Sequence, residues 1–283
     1  MPELPEVETI RRGLKKELVG QKIKKVEVRA RKLFGGDEKE LVGQEILDID
    51  RRAKMIIWRL SNTFMATHLK MTGQLIYIPS DKKHCLLVGG HPDKNYSLDL
   101  PHKHTHIIFT LEKGTLYYND LRKFGWIRIC DESKLKEFVE DYSPEYDWPE
   151  FTLEYLTNAL LRRKNAPIKQ ALLDQSIIAG LGNIYTDEVL FYAKVLPDRK
   201  VIDLKPEEIV RIHKYIPEVL NLALKHGGTS MKDFRHVDGG WGSYLTFAKA
   251  YGRAKLPCLE CGTPLETKKI AARTATYCPK CQK

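Results

Sequence analysis

Four cysteines near the C-terminus restrict the possible folds of this chain more sharply than its composition does. They form two C-x-x-C pairs, Cys258 with Cys261 and Cys278 with Cys281, separated by residues 262–277. This spacing suits tetrahedral coordination of one Zn²⁺ on a β-hairpin. Because all four ligands are thiols, the site is closed and we expect the metal to be structural. Two disulfides are the alternative, which the absence of a secretory signal disfavours.

The composition excludes several classes of protein. With 283 residues, the chain is long enough for two domains with their own cores, and a hydrophobic content of 42% argues against disorder. We expect neither a membrane span nor a signal peptide. The formal net charge of +10 favours a polyanionic partner, although basic enzymes without one are common. Cys85 and Cys130 lie outside the two pairs, and we expect both to be free thiols.

The first half of the chain combines one helix with a β-structure. The apolar stripe of this helix consists of Val7, Ile10, Leu14 and Leu18. The stripe predicts a helix over residues 5–19 that ends at Gly20. From residue 22 to 131 the hydrophobic pattern alternates with a period of two, which predicts a β-sandwich with the helix on one side. Residues 79–102 are polar and have no clear period, so they predict a surface loop.

The second half is predicted to be helical, because apolar residues recur every three or four positions over residues 151–226. An acidic, proline-containing stretch precedes it, and a glycine-rich segment leads from it to the cysteine tail. The fold class is therefore α+β. The predicted divisions are 1–131, a linker at 132–150, a helical part at 151–227, and the glycine-rich segment with the tail at 228–283.

The first residues of the chain allow a chemistry that few N-termini offer. Removal of Met1 leaves Pro2 as a secondary amine, and the ordinary pKa of an α-amino group is about 8. Such an amine can attack a sugar aldehyde carbon and form an iminium ion, which accepts electrons during elimination. Glu3 is then a candidate proton shuttle. From these residues alone, proline and acidic residues that start a helix are the simpler explanation.

Two further segments have phosphate-binding chemistry. A tight glycine turn at Gly180-Leu181-Gly182 precedes Asn183 and a helix start, where backbone N–H groups can bind phosphate. By itself, Asn183 is explained better by an N-cap. Arg162-Arg163-Lys164 is a basic run, and taken alone it reads as a solvated face.

Together, these segments resemble the bacterial formamidopyrimidine-DNA glycosylases, also called 8-oxoguanine DNA glycosylase/AP lyases. The start Pro-Glu-Leu-Pro-Glu-Val-Glu-Thr is similar to the N-terminus of that family, and later motifs match along nearly the whole chain. The resemblance implies a base-excision repair enzyme that removes oxidised purines and cleaves abasic sites by β- and δ-elimination. It also implies a catalytic N-terminal β-sandwich, a helix-two-turn-helix DNA-binding domain, a loop that covers the flipped base, and a zinc finger.

The resemblance assigns the catalytic roles. Pro2 is the nucleophile that forms the Schiff base, and Glu3 is the acid/base. Lys54, which follows Arg51-Arg52-Ala53, contacts phosphate near the lesion and assists the first elimination. Arg273 lies five residues before the third cysteine, binds the phosphates beside the lesion and assists the second elimination. Taken alone, Arg273 reads as a solvated residue on a small finger.

Three DNA contacts implied by the resemblance form a wedge. Met71, in the segment Thr67–Gly73, enters the gap left by the flipped nucleotide, and Arg122 and Phe124 join it from a second segment. A base must leave the stack before its sugar can be attacked. Apolar wedges kink DNA, and arginine can pair with the orphaned base. Taken singly, Met71 and Phe124 fit a protein core better than a wedge.

The remaining DNA contacts implied by the resemblance are His104, Lys164 and Asn183. A metal-binding histidine pair, His104 with His106, is the alternative for the first of these. We expect double-stranded DNA with oxidised bases or abasic sites as the partner, one zinc per chain as the cofactor, a monomer, no membrane association, and a cytoplasmic, nucleoid-associated enzyme.

Two segments depart from the family pattern, and two other functions compete with the assignment. The departures are Trp241, in the loop that covers the flipped base, and an insertion over residues 76–102. A sister family that removes oxidised pyrimidines usually begins Pro-Glu-Gly-Pro-Glu, whereas Leu4 and Val7 favour the purine enzyme. A non-catalytic zinc protein that binds bent or damaged DNA is the other alternative. The joint presence of the proposed nucleophile, acid/base and active-site lysine argues against it.

Overall fold

The described residues of the computed structural model are 1–81, 87–90 (backbone only), 100–229 and 242–283. Three sequence-based expectations fall outside them in whole or in part. These are the free thiol at Cys85, the unusual Trp241 with most of its loop, and much of the insertion at 76–102.

The chain forms two compact units, and each is built from two separate stretches of sequence. Unit 1 consists of Met1–Glu140 and Gly227–Gly242, and unit 2 consists of Asp141–His226 and Ser243–Lys283. Within the described residues, no helix has an apolar stretch long enough to cross a membrane.

Unit 1 is a β-sandwich with one long helix. Its described helices and strands are α1 (Leu4–Leu18), β1 (Ile23–Val28), β2 (Phe34–Gly35), β3 (Ile46–Arg52), β4 (Met55–Leu60), β5 (Phe64–His68), β6 (Gly73–Pro79), β7 (Leu87–Gly90), β8 (Thr105–Leu111), β9 (Gly114–Asp120), β10 (Trp126–Cys130) and α2 (Glu132–Val139). The strands form two sheets, in the orders β1-β8-β9-β6-β7 and β2-β10-β5-β4-β3. Neighbouring strands are antiparallel, apart from β2 and β10. Side chains from both sheets and from α1 share one hydrophobic core, which confirms the predicted sandwich.

Helix α1 confirms its predicted stripe. Val7, Ile10, Leu14 and Leu18 are each at most 1% exposed and belong to the sandwich core. Pro5 lies in the first turn, where its missing N–H costs no hydrogen bond. After the helix, Gly20 has φ +83°, a conformation that glycine adopts without steric cost.

Two short elements were not predicted from the sequence. Strand β7 lies inside the predicted loop 79–102 and pairs with β6 at the edge of its sheet. Four residues are too few for a period of two to stand out. Helix α2 lies inside the predicted linker, where Asp131 caps it by accepting a hydrogen bond from the N–H of Lys134. Its apolar residues Leu135, Phe138 and Val139 lie on one face at helical spacing and are half-buried, so a short apolar stripe was present in the sequence.

Unit 2 is helical, as predicted, and carries one β-hairpin. Its elements are α3 (Leu153–Leu161), α4 (Ile168–Leu172), α5 (Asn183–Ala193), α6 (Pro206–Lys225), β11 (Glu266–Ile270) and β12 (Arg273–Tyr277). Helices α5 and α6 pack against each other, and Ile212, Ile216 and Leu220 of α6 are fully buried. The hairpin β11–β12 contacts α5 through β12.

Candidate functional site

The N-terminal segment of unit 1 is buried and fixed by one carboxylate. Pro2 and Glu3 immediately precede α1, and Glu3 is 2% exposed. The N–H of Glu3 donates to Glu6 Oε2 at 2.9 Å. Glu6 Oε1 accepts from the N–H of Thr229 at 2.7 Å and from its hydroxyl at 2.9 Å. A Cβ on Gly228 would lie 2.6 Å from the same oxygen, so glycine permits this close approach.

Lys54 lies in the two-residue turn between β3 and β4. Arg52 and Met55 are paired across this turn, which consists of Ala53 and Lys54. The lysine is only 7% exposed. Met55 also pairs with His68 on β5, and this places an imidazole one strand away from the lysine turn.

His68 is a site residue to which sequence analysis assigned no role. Burial, together with the charges of Lys70 and Lys54, lowers the pKa of His68 from 6.5 to about 3. Its ring is therefore neutral at pH 7. Because Nδ1 accepts a hydrogen bond from the N–H of Lys70 at 3.0 Å, the ring proton lies on Nε2. The sequence feature that could have pointed to His68 is its position within the Thr67–Gly73 motif.

The two segments that carry the proposed wedge adjoin each other at one end of a sheet. Gly73 and Asp120 are paired between β6 and β9. The carboxylate of Asp120 is fully buried and accepts from the hydroxyl of Thr72. It also accepts from the N–H of Arg122 at 3.1 Å and from the N–H of Gly125 at 2.7 Å. One side chain thus holds both turns, although sequence analysis gave Asp120 no role.

The side chains of the proposed wedge are accessible. Phe124 is 54% exposed, so it is not a core residue, and Met71 is half-buried. The guanidinium carbon of Arg122 lies 4.6 Å from the centroid of the Phe124 ring. This is a cation–π distance. Arg122 and Phe124 therefore form one exposed surface beside the turn that contains Met71.

His104 lies next to the same turns. Its carbonyl accepts a hydrogen bond from the N–H of Asp120 at 3.0 Å, and its own N–H donates to His102 Nδ1 at 3.1 Å. Within the described residues, no group of three or more histidine, cysteine or carboxylate ligands includes His104. The geometry therefore gives no support to the metal-binding alternative.

Asn183 is the first residue of α5 in unit 2. The glycine turn before it is held by Gln175, which accepts from the N–H of Gly180 at 3.0 Å and donates to the carbonyl of Leu181 at 2.9 Å. Asn183 Oδ1 is buried and has no hydrogen-bond partner among the described residues. This oxygen is an acceptor and so cannot bind a phosphate; the position of Asn183 at a helix N-terminus is what favours an anion nearby.

Lys164 and Arg273 are both exposed in unit 2. Lys164 follows α3 and forms no ion pair within the described part of the chain, whereas its neighbour Arg163 pairs with Asp174 at 2.6 Å. Arg273 opens β12, directly after the hairpin turn Ala271–Ala272, whose φ angles are +46° and +62°.

A buried ion pair, which sequence analysis missed, holds this hairpin to the helices. Lys169 of α4 is fully buried, and its Nζ donates to Asp187 Oδ1 at 2.5 Å and to the carbonyl of Thr274 at 2.8 Å. Asp187 Oδ2 accepts from the N–H of Thr276 at 3.1 Å. The adjacent acidic residues at positions 187 and 188, inside a helix that is mostly apolar, were the available signal.

The next residue of the same helix is also a buried acid. Glu188 accepts hydrogen bonds from the backbone N–H groups of Lys249, Ala250 and Tyr251 at 2.8–2.9 Å. Helix α5 therefore carries Asn183 at its N-terminus and also holds two other parts of unit 2, the hairpin and the segment before the cysteine tail.

The four paired cysteines form a metal-binding geometry in unit 2. Their sulfur atoms all lie within 4.8 Å of one another. The Sγ atoms of Cys258 and Cys281 are 3.9 Å apart, and those of Cys261 and Cys278 are 3.5 Å apart. Zn–S bonds of about 2.3 Å in a tetrahedron require S···S distances of about 3.8 Å. The set therefore fits one structural Zn²⁺, and these distances are too long for disulfides.

Known proteins match the whole chain. The "Formamidopyrimidine-DNA glycosylase N-terminal domain" model matches residues 1–127, and the "Formamidopyrimidine-DNA glycosylase H2TH domain" model matches 143–235. A "Zinc finger found in FPG and IleRS" matches 255–283. A curated formamidopyrimidine-DNA glycosylase from Pelotomaculum thermopropionicum is 39% identical, over 100% of this chain and 99% of the relative.

Solved structures match equally well. Lactococcus lactis Fpg in complex with abasic-site DNA has a TM-score of 0.86 at 33% identity, covering 99% of each chain. A MutM structure in complex with DNA that contains carbocyclic 8-oxo-G has a TM-score of 0.86 at 34% identity, covering 100% of each chain.

Proposed function

The chain belongs to the formamidopyrimidine-DNA glycosylase family, and from this premise we propose that it excises oxidised purines from double-stranded DNA and then cleaves the abasic strand. One observation carries the proposal. Pro2, Glu3 and Lys54 are retained together in unit 1 of a chain that matches the family over its whole length. The relatives' names supply the substrate class, formamidopyrimidines and 8-oxoguanine in DNA.

The first chemical step belongs to Pro2. After removal of Met1, its nitrogen forms a bond to C1′ while the bond from C1′ to the damaged base breaks. Glu3 transfers the protons that this exchange and the opening of the sugar require. The resulting iminium ion draws electrons from the sugar, so the phosphates on both sides of the lesion can leave in turn.

Lys54 and Arg273 assist the two eliminations. Their cations contact the departing phosphates, Lys54 in the first elimination and Arg273 in the second. Lys164, Asn183 and His104 hold the DNA backbone. The exposed cation of Lys164 and the position of Asn183 at the N-terminus of α5 support the first two of these roles. The zinc ion supplies no chemistry to the reaction and organises the hairpin that carries Arg273.

Met71, Arg122 and Phe124 fill the gap that the flipped nucleotide leaves. This role is supported by the exposure of Phe124 and by the shared anchoring of both turns on Asp120. We further propose that residues 1–131 act as the catalytic domain, 132–150 as a linker, 151–227 as the DNA-binding helical domain, and 228–283 as the lesion loop and zinc finger. The enzyme would act in the cytoplasm on nucleoid DNA.

Borohydride trapping tests the nucleophile directly. Incubation with a duplex that contains 8-oxoguanine and sodium borohydride should give a covalent adduct that maps to Pro2. Pro2→Gly should trap poorly, because a primary amine replaces the secondary amine of proline. Pro5→Ala is the matched control, since it removes a proline from the same segment but leaves the amine, and it should trap normally. Full activity with a blocked N-terminus would refute the mechanism.

A further inference from the structure

The backbone beside Lys54 has an unfavourable conformation. Ala53 has φ +52°, in the left-handed region that residues with a Cβ rarely adopt. Such conformations persist where surrounding contacts hold them, and they concentrate at functional sites. Ala53 is 1% exposed, so solvent does not satisfy its carbonyl. The contact that holds this carbonyl therefore determines where the lysine leaves the backbone.

Arg51 makes that contact. Its Nη1 donates to the carbonyl of Ala53 at 2.9 Å, and its Nε donates to Glu8 Oε2 at 3.1 Å. Both side chains are buried, with 9% of Arg51 and 11% of Glu8 exposed. A guanidinium can bridge two acceptors in this way because its donors are fixed in one plane, whereas a lysine ammonium has no such fork.

Glu8 connects this contact to the helix of the nucleophile. It lies in the second turn of α1, the helix that Pro2 and Glu3 precede. Its carboxylate also accepts from Arg11 at 2.7 Å and from Arg12 at 2.8 Å. These contacts hold the carboxylate in place on α1. Because Arg51 binds both this carboxylate and the Ala53 carbonyl, it fixes the lysine turn relative to α1.

We propose that Glu8 and Arg51 are positioning residues for the elimination chemistry. Together they hold the left-handed turn at Ala53 and so set the direction of Lys54 relative to the helix that carries Pro2. The inference rests on the proposed role of Lys54. Both residues act through other groups, so their removal should lower the rate of strand cleavage even when all of the DNA is bound by enzyme.

The central variant is Arg51→Met, compared with Arg12→Met. Arg12 also pairs with Glu8, but its side chain is 61% exposed and, within the described residues, no hydrogen bond or ion pair joins it to the turn. Without Arg12, Arg11 still holds the Glu8 carboxylate through two hydrogen bonds, at 3.1 and 2.7 Å. Arg51→Met should fold, because Arg11 and Arg12 still neutralise Glu8. The single-turnover rate of cleavage at an abasic duplex should fall by about tenfold or more in Arg51→Met. It should stay within about twofold of the wild-type rate in Arg12→Met.

A second substitution distinguishes a loss of positioning from a general loss of native structure. Ala53→Gly makes the left-handed conformation unstrained, so the turn no longer needs the guanidinium. Arg51→Met/Ala53→Gly should therefore recover most of the lost rate. All rates are measured with enzyme in saturating excess over the duplex, so that differences in DNA affinity do not enter them. A normal rate in Arg51→Met, or a loss without recovery in the double variant, would overturn the inference.

Lys54→Met, measured in parallel, separates the proposed role of Lys54 from the proposed positioning by Glu8 and Arg51. A normal cleavage rate in Lys54→Met would refute the proposed role of the lysine itself. A slow Lys54→Met together with a normal Arg51→Met would leave that role intact and refute only the positioning by Glu8 and Arg51.

Discussion

At the scale of single residues, Asp120 shows how two turns that are distant in sequence act as one surface. A buried carboxylate is costly unless hydrogen bonds compensate it. Asp120 receives them from the Thr72 side and from the Arg122–Gly125 side. The sequence Asn119-Asp120 reads as ordinary turn chemistry, so this role could not be predicted from it. The role depends on a strand pairing that only the fold creates.

Phe124→Ala should slow base excision from an intact duplex more than it slows cleavage at an abasic site. Unstacking a base step costs a few kcal/mol, which an inserted side chain offsets. At an abasic site, the stack is already weakened. Leu121→Ala is the matched control, because Leu121 is a 45% exposed apolar residue of the same turn with no proposed contact. Equal losses in both reactions would contradict the wedge assignment.

At the scale of elements, α5 organises unit 2. Its N-terminus carries Asn183, and one turn later Asp187 and Glu188 hold the hairpin and the segment before the cysteine tail. The hairpin itself has only a small core around the cysteines. Its placement therefore depends on the zinc site and on these two buried carboxylates.

Asp187→Asn should destabilise the protein by about 3–5 kcal/mol, because it leaves the fully buried ammonium of Lys169 without its counter-charge. Urea unfolding measures the loss. Lys268→Met is the matched control on the same hairpin. It breaks the exposed pair with Asp198, so it should cost at most about 1 kcal/mol. Similar costs for the two variants would show that Lys169 does not need its partner.

The elements that could be predicted from sequence are those whose own residues carry the signal. Helix α1 has its apolar stripe, the sandwich strands alternate, and the cysteine spacing predicts its hairpin. Strand β7 has too few residues for its alternation to stand out. Helix α2 carries only a short apolar stripe, Leu135, Phe138 and Val139, inside an acidic stretch that reads as a linker. The Lys169–Asp187 pair joins residues that only tertiary packing brings together, so neither residue predicts the other.

At the scale of the whole molecule, two buried groups give stability opposite pH dependences. The folded pKa of His68, about 3, lies below its ordinary 6.5, so the unfolded chain binds a proton that the folded chain does not. The stability that this difference contributes is complete above pH 6.5 and is lost as the pH falls towards 3. Burial, which outweighs the attraction of Lys169, raises the pKa of Asp187 from 3.8 to about 6. Its contribution is complete below pH 3.8 and is lost as the pH rises through 6.

His68→Gln should therefore flatten the acid side of the stability curve. The free energy of unfolding of the wild type minus that of the variant should fall by up to about 1.4 kcal/mol per pH unit as the pH is lowered below 6.5. Asp187 is present in both proteins, so it cancels in this difference. Urea unfolding at a series of pH values gives the two curves. Parallel curves would mean that the folded protein protonates His68 as readily as the unfolded chain does.

The division of each unit between two stretches of chain has a consequence for synthesis. When the ribosome has released residue 140, unit 1 still lacks the stretch Gly227–Gly242. The carboxylate of Glu6 accepts a hydrogen bond from the N–H of Glu3. It also accepts one from the N–H of Thr229, which lies 223 residues later in the chain. Helix α1 is thus among the first parts of the protein to be made, and its Glu6 acquires the contact with Thr229 only after most of unit 2 has been made.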